Sequence, residues 1–289
     1  MTLSVTGYRM GLTASVKNTL AGCGLVLFVA SGILEAAPDE VCISELMYRP
    51  ASENTQEEFI ELHNPGSEPV DLTGWRFTTG VRFTFPRVQI PAGGYLVVAA
   101  DLAAFRSVHP DVENVVGGWD GILSNSGQLI ELVDAAGKRV DSVRYADAGD
   151  WSMRVLREPD HGHRGLDWHS AAEGGGSSLE LRNPALPNDY GQNWGPSTVT
   201  NGTPGKANSI ASSNIPPMIL EPRQFPLLPR SVDPVTLSVR IIDEFKTGIE
   251  ARLRYRVDGH DQFLETQMFD DGAHDDGVAG DGVFAATIP

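Results

Sequence analysis

The chain alternates between short apolar runs and turn-forming residues. Between residues 38 and 145 the runs are "VCISELMY", "EFIELHN", "VRFTF", "GYLVVAA", "QLIELVD" and "RVDSVRY". The breaks, such as "NPGSEPVDLTG", "PAGG" and "SNSG", are rich in Gly, Pro, Asn and Asp, which favour tight turns. Apolar runs of this length between turns predict strands, and their regular spacing predicts an all-β fold built on a β-sandwich. One stretch, "LAAFRSVHP", predicts a short helix.

A second β pattern begins after a proline-rich stretch at residues 211–234, which predicts a linker. In "ARLRYRVDG", apolar residues alternate with Arg252, Arg254 and Arg256. A period of two indicates a strand with one buried and one wet face. Residues 235–289 offer four strands at most, whereas a sandwich of this type has about seven. We therefore predict a partial immunoglobulin-like module there and expect the chain to be a fragment of a longer protein.

The N-terminal region has the pattern of an export signal. Arg9 and Lys17 precede the apolar run "LAGCGLVLFVASGIL", after which the sequence turns polar. The run is too short for a span of about 20 residues, so it predicts a signal peptide over residues 1–37 and a secreted or cell-surface protein with no transmembrane segment in the mature chain. Removal of this peptide would leave Cys42 as a lone cysteine, which cannot form an internal disulfide.

Net charge narrows the choice of partner. The chain carries a formal charge of -16. Phosphate backbones would be repelled by such a chain, so nucleic acid is excluded as a partner, while cations, basic proteins and neutral glycans are compatible with it. The acidity is also compatible with a role in keeping a secreted protein soluble.

The segments "ISELMYRP", "EEFIELHNPGSEPVDLTGWRF", "IPAGGYLVVAAD" and "LSNSGQLIELVDAAGKRVDSVRY" occur in the order found in a known family. They resemble the lamin tail domain in the form carried by secreted bacterial proteins. The resemblance implies an immunoglobulin-like β-sandwich. It also implies an arrangement in which such domains, followed by small fibronectin-like β-modules, often precede a CotH-like kinase domain or a surface anchor.

Residues 146–210 form a glycine-rich extension with little strand pattern. Its pieces "GGGSSLEL", "PNDYGQNW" and "GTPGKAN" resemble those that follow lamin-tail-like domains. The resemblance implies that the extension folds back on the sandwich, and we expect Trp151, Trp168 and Trp194 to anchor it.

The extension also holds a set of potential metal ligands, namely Asp160, His161, His163, Asp167 and His169. Imidazole and carboxylate groups are zinc ligands, and His-x-His on a strand places both rings on one face. The spacing matches no closed or catalytic zinc pattern, so a solvated loop is the alternative interpretation.

The last twenty residues contain five aspartates interleaved with glycines, in "DDGAHDDGVAGDG": Asp270, Asp271, Asp275, Asp276 and Asp281. No register of this sequence satisfies an EF-hand, which needs Gly at its sixth position and Glu at its twelfth. Glycine turns can still gather several carboxylates around a calcium ion. The alternative is a solvated hairpin in which Asp and Gly serve turn geometry.

No catalytic pattern emerges from the sequence. It contains no P-loop, nucleophile elbow, zincin helix or dinucleotide fingerprint. Glu58 and Glu61 do not form a catalytic pair, because positions three apart on one strand point to opposite faces. The sequence predicts a non-enzymatic interaction or structural module of an exported protein, with calcium as its one suggested cofactor. Its expected partner is an extracellular protein, glycan or matrix component.

Two alternatives remain at this stage. The chain could be the N-terminal accessory region of an exported CotH-like kinase whose catalytic domain lies beyond Pro289. It could also be a metal-dependent hydrolase that uses the ligands between Asp160 and His169.

Overall fold

The computed structural model describes residues 2–5, 8–16, 40–158, 161, 165–257 and 262–289. For residues 2–5, 8–16, 154 and 166 it describes the backbone alone. The chain divides into two units. The first, Ile33–Ser213, contains the predicted sandwich and its extension, and the second combines Met1–Gly32 with Asn214–Pro289.

Strands dominate both units. In chain order they are β1 (Thr2–Val5), β2 (Tyr8–Val16), β3 (Cys42–Met47), β4 (Phe59–His63), β5 (Val70–Asp71), β6 (Arg76–Thr79), β7 (Phe83–Thr84), β8 (Gln89–Ile90), β9 (Tyr95–Ala99), β10 (Val115–Gly117), β11 (Gly127–Val133), β12 (Arg139–Ala146), β13 (Met153–Leu156), β14 (Leu166–His169), β15 (Leu179–Leu181), β16 (Trp194–Pro196), β17 (Met218–Phe225), β18 (Val235–Ile242), β19 (Ile249–Val257), β20 (Leu264–Met268) and β21 (Val283–Ile288). The α-helix among the described residues is α1 (Leu102–Val108), and short 3-10 turns occupy Thr55–Glu57, Gly149–Trp151 and Gly191–Asn193. The predicted all-β class is confirmed.

Two sheets form the sandwich of the first unit. One has six strands in the order β10-β9-β4-β3-β15-β16, and the other has four in the order β12-β11-β6-β7. Side chains alternate between the two faces of strand β4. Ile60 and Leu62 point into the main core and are completely buried. Burial of one such side chain stabilises a fold by about 1.5–3 kcal/mol.

The other face of the six-stranded sheet is also covered. Phe59 packs there edge-to-face against Phe105 of α1, with ring centroids 5.6 Å apart. Helix α1 begins where the Asp101 carboxylate accepts the backbone N–H groups of Ala103 and Ala104, which satisfies two amides of the first turn. The predicted helix is therefore present, and it covers one end of the outer face.

The extension contributes strands to the same sheet, which composition alone did not suggest. Strand β15 pairs with β3, and β16 pairs with β15. Trp194 is buried and packs against Trp151 with ring centroids 5.9 Å apart. Trp168, the third expected anchor, does not pack in this way. It lies on β14, which pairs with β13 in a separate two-stranded ribbon, and its side chain is 38% exposed.

The second unit has one sheet of order β17-β18-β21 and one of order β1-β2-β19-β20. Alternate residues of β18 meet Ala251 and Leu253 of β19 in its core. The linker predicted over residues 211–234 is wrong for Met218–Phe225, which form strand β17. Proline content misled that prediction, because Pro222 lies at a shift of register between Leu220 and Arg223, where a strand does not need its N–H.

Candidate functional site

Three buried glutamates form a row across the outer face of the six-stranded sheet. Glu61 of β4 lies opposite Glu45 of β3, and Glu45 lies opposite Glu180 of β15. None of the three side chains is exposed to solvent. We call Glu45, Glu61 and Glu180 the glutamate row. Carboxyl groups so deeply buried need hydrogen-bond donors close by.

Most of the donors come from residues 197–212, at the end of the extension and just beyond it, which we call the closing segment; Ser44 of β3 also donates to Glu61 Oε1, at 3.1 Å. Thr203 binds two members of the row: its N–H donates to Glu45 Oε1 at 2.8 Å, and its hydroxyl donates to Glu180 Oε1 at 2.6 Å. The N–H of Gly205 donates to Glu61 Oε2 at 2.5 Å. The hydroxyl of Ser209 donates to Glu180 Oε2 at 2.8 Å. The row thus fastens the closing segment over the sheet.

Burial controls the protonation of the row. It raises the pKa of Glu45 to about 8, although the hydrogen bond from the Thr203 N–H acts in the opposite direction. Burial, reinforced by the neighbouring Glu45, holds the pKa of Glu61 well above its ordinary value. At neutral pH Glu45 therefore favours the protonated form, which lowers the repulsion between directly opposed carboxyls.

Sequence reasoning missed the glutamate row, although a signal was present. Glu61 and Glu180 stand between apolar residues in "EFIELHN" and "SLELRN", and Glu45 precedes Leu46 in the apolar segment "ISELMY". Pairing of these strands could place their glutamates side by side on one face of a sheet. The separation of Glu58 from Glu61 is as expected, since Glu58 accepts the Leu123 N–H at 2.8 Å whereas Glu61 accepts that of Gly205.

The five aspartates of the second unit lie in the turn between β20 and β21, and several of them accept backbone N–H groups. Asp276 is buried, and its Oδ2 accepts the amides of Asp271 and Gly272 while Oδ1 accepts that of His274. Asp270 receives the amides of Gly280 and Gly282, one on each oxygen. In this arrangement the carboxylates hold the turn in shape.

The remaining three aspartates differ in their roles. Both oxygens of Asp281 accept amides, from Val278 and Val283. Asp271 Oδ1 accepts the Ala273 N–H and contacts His274 Nδ1 at 2.9 Å. Asp275 is exposed and has a positive φ of 59°. The N–H group of Gly272 is the largest cause that lowers the pKa of Asp276, so this carboxylate stays ionised.

The second predicted ligand set is only partly described by the structure, because Asp160 and His163 lie outside the described residues. His161 is exposed in a turn, and Asp167 and His169 occupy one face of β14. Asp167 forms an ion pair with Arg157, which lowers the pKa of the Asp167 carboxyl. Across the part of the chain that is described, no group of three or more His, Cys, Asp or Glu side chains is placed to hold a metal ion. Metal binding at either set stays a prediction.

The ribbon of β13 and β14 exposes apolar side chains. Met153, Val155, Leu156 and Trp168 are 63, 48, 61 and 38% exposed, respectively. Successive residues of a strand point to opposite faces, so apolar groups occupy both faces of this ribbon. Apolar surface gathered in this way is a feature of interaction sites.

No helix in the described part of the chain is long and apolar enough to cross a membrane.

Comparison with curated proteins gave no match. Comparison with family models gave one for the first unit, and it covers strands β3 to β12 together with helix α1. The matched family has an immunoglobulin-like, non-catalytic fold, in agreement with the observed sandwich. Residues 35–147 of this chain match the family described as Lamin Tail Domain.

Proposed function

We propose that this chain belongs to an exported bacterial protein in which the lamin-tail-like sandwich is a non-catalytic interaction module. Its partner is an extracellular protein, glycan or matrix component. The apolar ribbon of β13 and β14 supports this proposal, because four apolar side chains are exposed within two short paired strands. The glutamate row has a structural role, because it holds the closing segment over the six-stranded sheet. The ribbon of β13 and β14 does not belong to that sheet.

Export is tested by expression of the full chain in a bacterial host, followed by N-terminal sequencing of the protein outside the cytoplasm. The predicted signal peptide gives a mature N-terminus between Ser31 and Ala37 or directly after this range. Recovery of the chain in the cytoplasm alone, with Met1 or Thr2 at its start, would contradict the proposal.

Binding is tested with the purified chain on a glycan array and on isolated cell-envelope material. The double variant Met153→Ser/Val155→Ser removes two exposed apolar groups from one face of the ribbon and should weaken binding about tenfold or more. Ile122→Ser is the matched control, since Ile122 is also exposed but lies outside the ribbon. Equal binding by all three proteins would exclude the ribbon as the interaction surface.

The accessory region of a CotH-like kinase stays the alternative. The coding sequence downstream of Pro289 tests it directly.

A further inference from the structure

The loop between β17 and β18 carries strongly exposed apolar side chains. We call residues 225–232 the apolar loop; it lies at one end of the antiparallel pair that these two strands form. Its large apolar side chains, Phe225, Leu227, Leu228 and Val232, are between 74 and 90% exposed. Apolar groups gathered at the surface in this way are a feature of sites that bind a protein or a membrane.

The backbone of the apolar loop is held in shape on both sides of its tip. A proline precedes Leu227 and another follows Leu228, and each fixes φ at its own position. The Gln224 side-chain amide donates to the Leu227 carbonyl at 2.9 Å. On the other side, Asp233 Oδ2 accepts the Arg230 N–H at 2.9 Å, and the Asp233 N–H donates to the Arg230 carbonyl at 3.1 Å. The loop therefore presents its apolar side chains to solvent in a defined arrangement.

Two arginines accompany these apolar side chains. Residues 222–232 contain Arg223 and Arg230 and no acidic residue. Arg223 contacts Glu221 at 3.4 Å, and Arg230 contacts Asp233 at 3.0 Å. Both guanidinium groups are exposed, and ion pairs at such positions contribute little to stability. The two arginines can therefore exchange these partners for phosphate oxygens, which suit the planar guanidinium group, at little cost.

The aspartate-rich turn lies at the other end of β18. Val235, at the start of β18, is opposite Ile288, and Arg240 is opposite Val283, which directly follows that turn. About 16 Å of strand separates Val235 from Arg240. This distance is about twice the screening length of about 8 Å at physiological ionic strength. The acidic turn therefore does little to oppose the approach of the apolar loop to an anionic surface.

We propose that the apolar loop inserts into the surface of an anionic phospholipid bilayer, with Arg223 and Arg230 bound to lipid phosphates. A fluid bilayer accommodates projecting apolar side chains without a matching groove, and its phosphate layer lies where the two arginines would be. Binding strength increases with the apolar area buried and with the attraction between arginine and anionic lipid. The apolar loop belongs to the second unit, so this inference goes beyond the proposed function and does not rest on the ribbon of β13 and β14.

The first measurement is co-sedimentation of the full chain with vesicles. Vesicles of equal parts phosphatidylcholine and phosphatidylglycerol should bind the wild type at least about tenfold more tightly than vesicles of phosphatidylcholine. Leu227→Ser/Leu228→Ser should weaken binding to the anionic vesicles at least about tenfold. Val278→Ser is the matched control and should bind as the wild type does, because Val278 is 70% exposed in the same unit but lies in the aspartate-rich turn.

A pair of charge variants tests the role of the arginines. Arg223→Gln/Arg230→Gln should lose the preference for anionic vesicles, while the backbone N–H of residue 230 still donates to Asp233 and keeps the turn. Arg252→Gln/Arg254→Gln makes the same change in net charge at exposed positions of β19. This control should keep the preference, because its arginines lie outside the apolar loop.

Hydrogen exchange locates the contact within the chain. The apolar run in residues 1–37 is common to all variants, so a measurement restricted to the loop separates its contribution from that of the run. Anionic vesicles should slow exchange at the amides of residues 225–232 in the wild type and not in Leu227→Ser/Leu228→Ser. Circular dichroism and denaturant unfolding establish that each variant is folded.

The proposal is overturned if the wild type does not bind anionic vesicles, or binds neutral and anionic vesicles equally. It is also overturned if the folded double-leucine variant binds as tightly as the wild type, or if vesicles leave exchange in the loop unchanged. Sedimentation velocity without lipid tests another occupant. Self-association that the double-leucine variant abolishes, in a chain that binds no vesicles, would assign the loop to a second copy of the chain.

Discussion

Glu45 and Glu61 occupy directly opposite positions on β3 and β4, and neither side chain is exposed to solvent. Each carboxyl accepts a backbone N–H of the closing segment, from Thr203 and from Gly205. The protonation of these two carboxyl groups is therefore linked to the attachment of the closing segment to the sheet. The stability of the first unit should therefore depend on pH.

We predict that the free energy of unfolding falls between pH 4.5 and about 8, since the Glu45 pKa rises between these values on folding. An acid with a raised pKa holds its proton more tightly in the folded state, so its stabilising effect is complete at low pH and is lost as the pH rises. The slope is up to about 1.4 kcal/mol per pH unit for each proton released. Urea unfolding at a series of pH values measures it.

Glu45→Gln should reduce this pH dependence, because glutamine keeps the acceptor oxygen for Thr203 and has no proton to lose in this range. Glu113→Gln, at an exposed position of the same unit, is the control and should leave the slope as it is in the wild type. An unchanged slope in Glu45→Gln would show that Glu45 does not titrate with a raised pKa.

Gly202→Ala should destabilise the first unit more than Gly93→Ala. Both glycines have a positive φ, 80° and 62°, which costs an alanine about 1–2 kcal/mol. A Cβ on Gly93 meets open space, whereas a Cβ on Gly202 would lie 2.6 Å from Ser178 Oγ and against Glu45 Oε1. Chemical denaturation should show a loss of about 1 kcal/mol for Gly93→Ala and at least twice that for Gly202→Ala. Equal losses would mean that the closing segment moves away from the row at little cost.

Asp276→Asn should lower the thermal midpoint of the second unit, and Asp275→Asn should leave it nearly unchanged. The Asp276 carboxylate accepts three backbone amides across the turn, and an asparagine side chain has one oxygen to receive them. Asp275 is exposed, and asparagine tolerates its positive φ. Differential scanning calorimetry of the two variants measures the difference. Similar midpoints would contradict the role of Asp276 in the turn.

Calcium should have little effect on the unfolding midpoint of the second unit. Both carboxylate oxygens of Asp270, Asp276 and Asp281 already accept backbone amides, so the turn is held in shape without an ion. An ion bound by the folded state alone would stabilise it by about 2.7 kcal/mol at a hundredfold excess over its dissociation constant. Unfolding in calcium and in excess chelator tests this. A rise in calcium that disappears in Asp281→Asn would establish the calcium site predicted from the sequence.

Much of the fold follows from local patterns. In strand β4, the alternation that places Ile60 and Leu62 inward and Phe59 outward is visible in "EFIELHN", because side chains of a strand point to opposite faces in turn. The strand at β17 could not be found in the same way. Its proline suggests a linker until the shift of register at Pro222 is known, and register is a property of two paired strands.

The glutamate row, like strand β17, could not be predicted from local sequence patterns. The sequence shows glutamates in three apolar segments, but only the pairing and register of β3, β4 and β15 place Glu45, Glu61 and Glu180 side by side. The aspartates of the second unit are close in sequence, and that proximity suggested an ion. What their oxygens accept depends on where the backbone amides of the turn point, which only the folded loop fixes.

The sequence by itself determined the all-β class and the position of helix α1, because hydrophobic period and turn chemistry are local. Its segments also carried the resemblance to the lamin tail domain, which the family comparison matches over residues 35–147. The tertiary structure alone decided that the closing segment lies over the glutamate row and that β2 occupies the edge of β19. Both arrangements join residues that are distant along the chain. Their partners are selected by the pairing of whole strands and by the need to satisfy buried carboxyl and amide groups, neither of which a local pattern records.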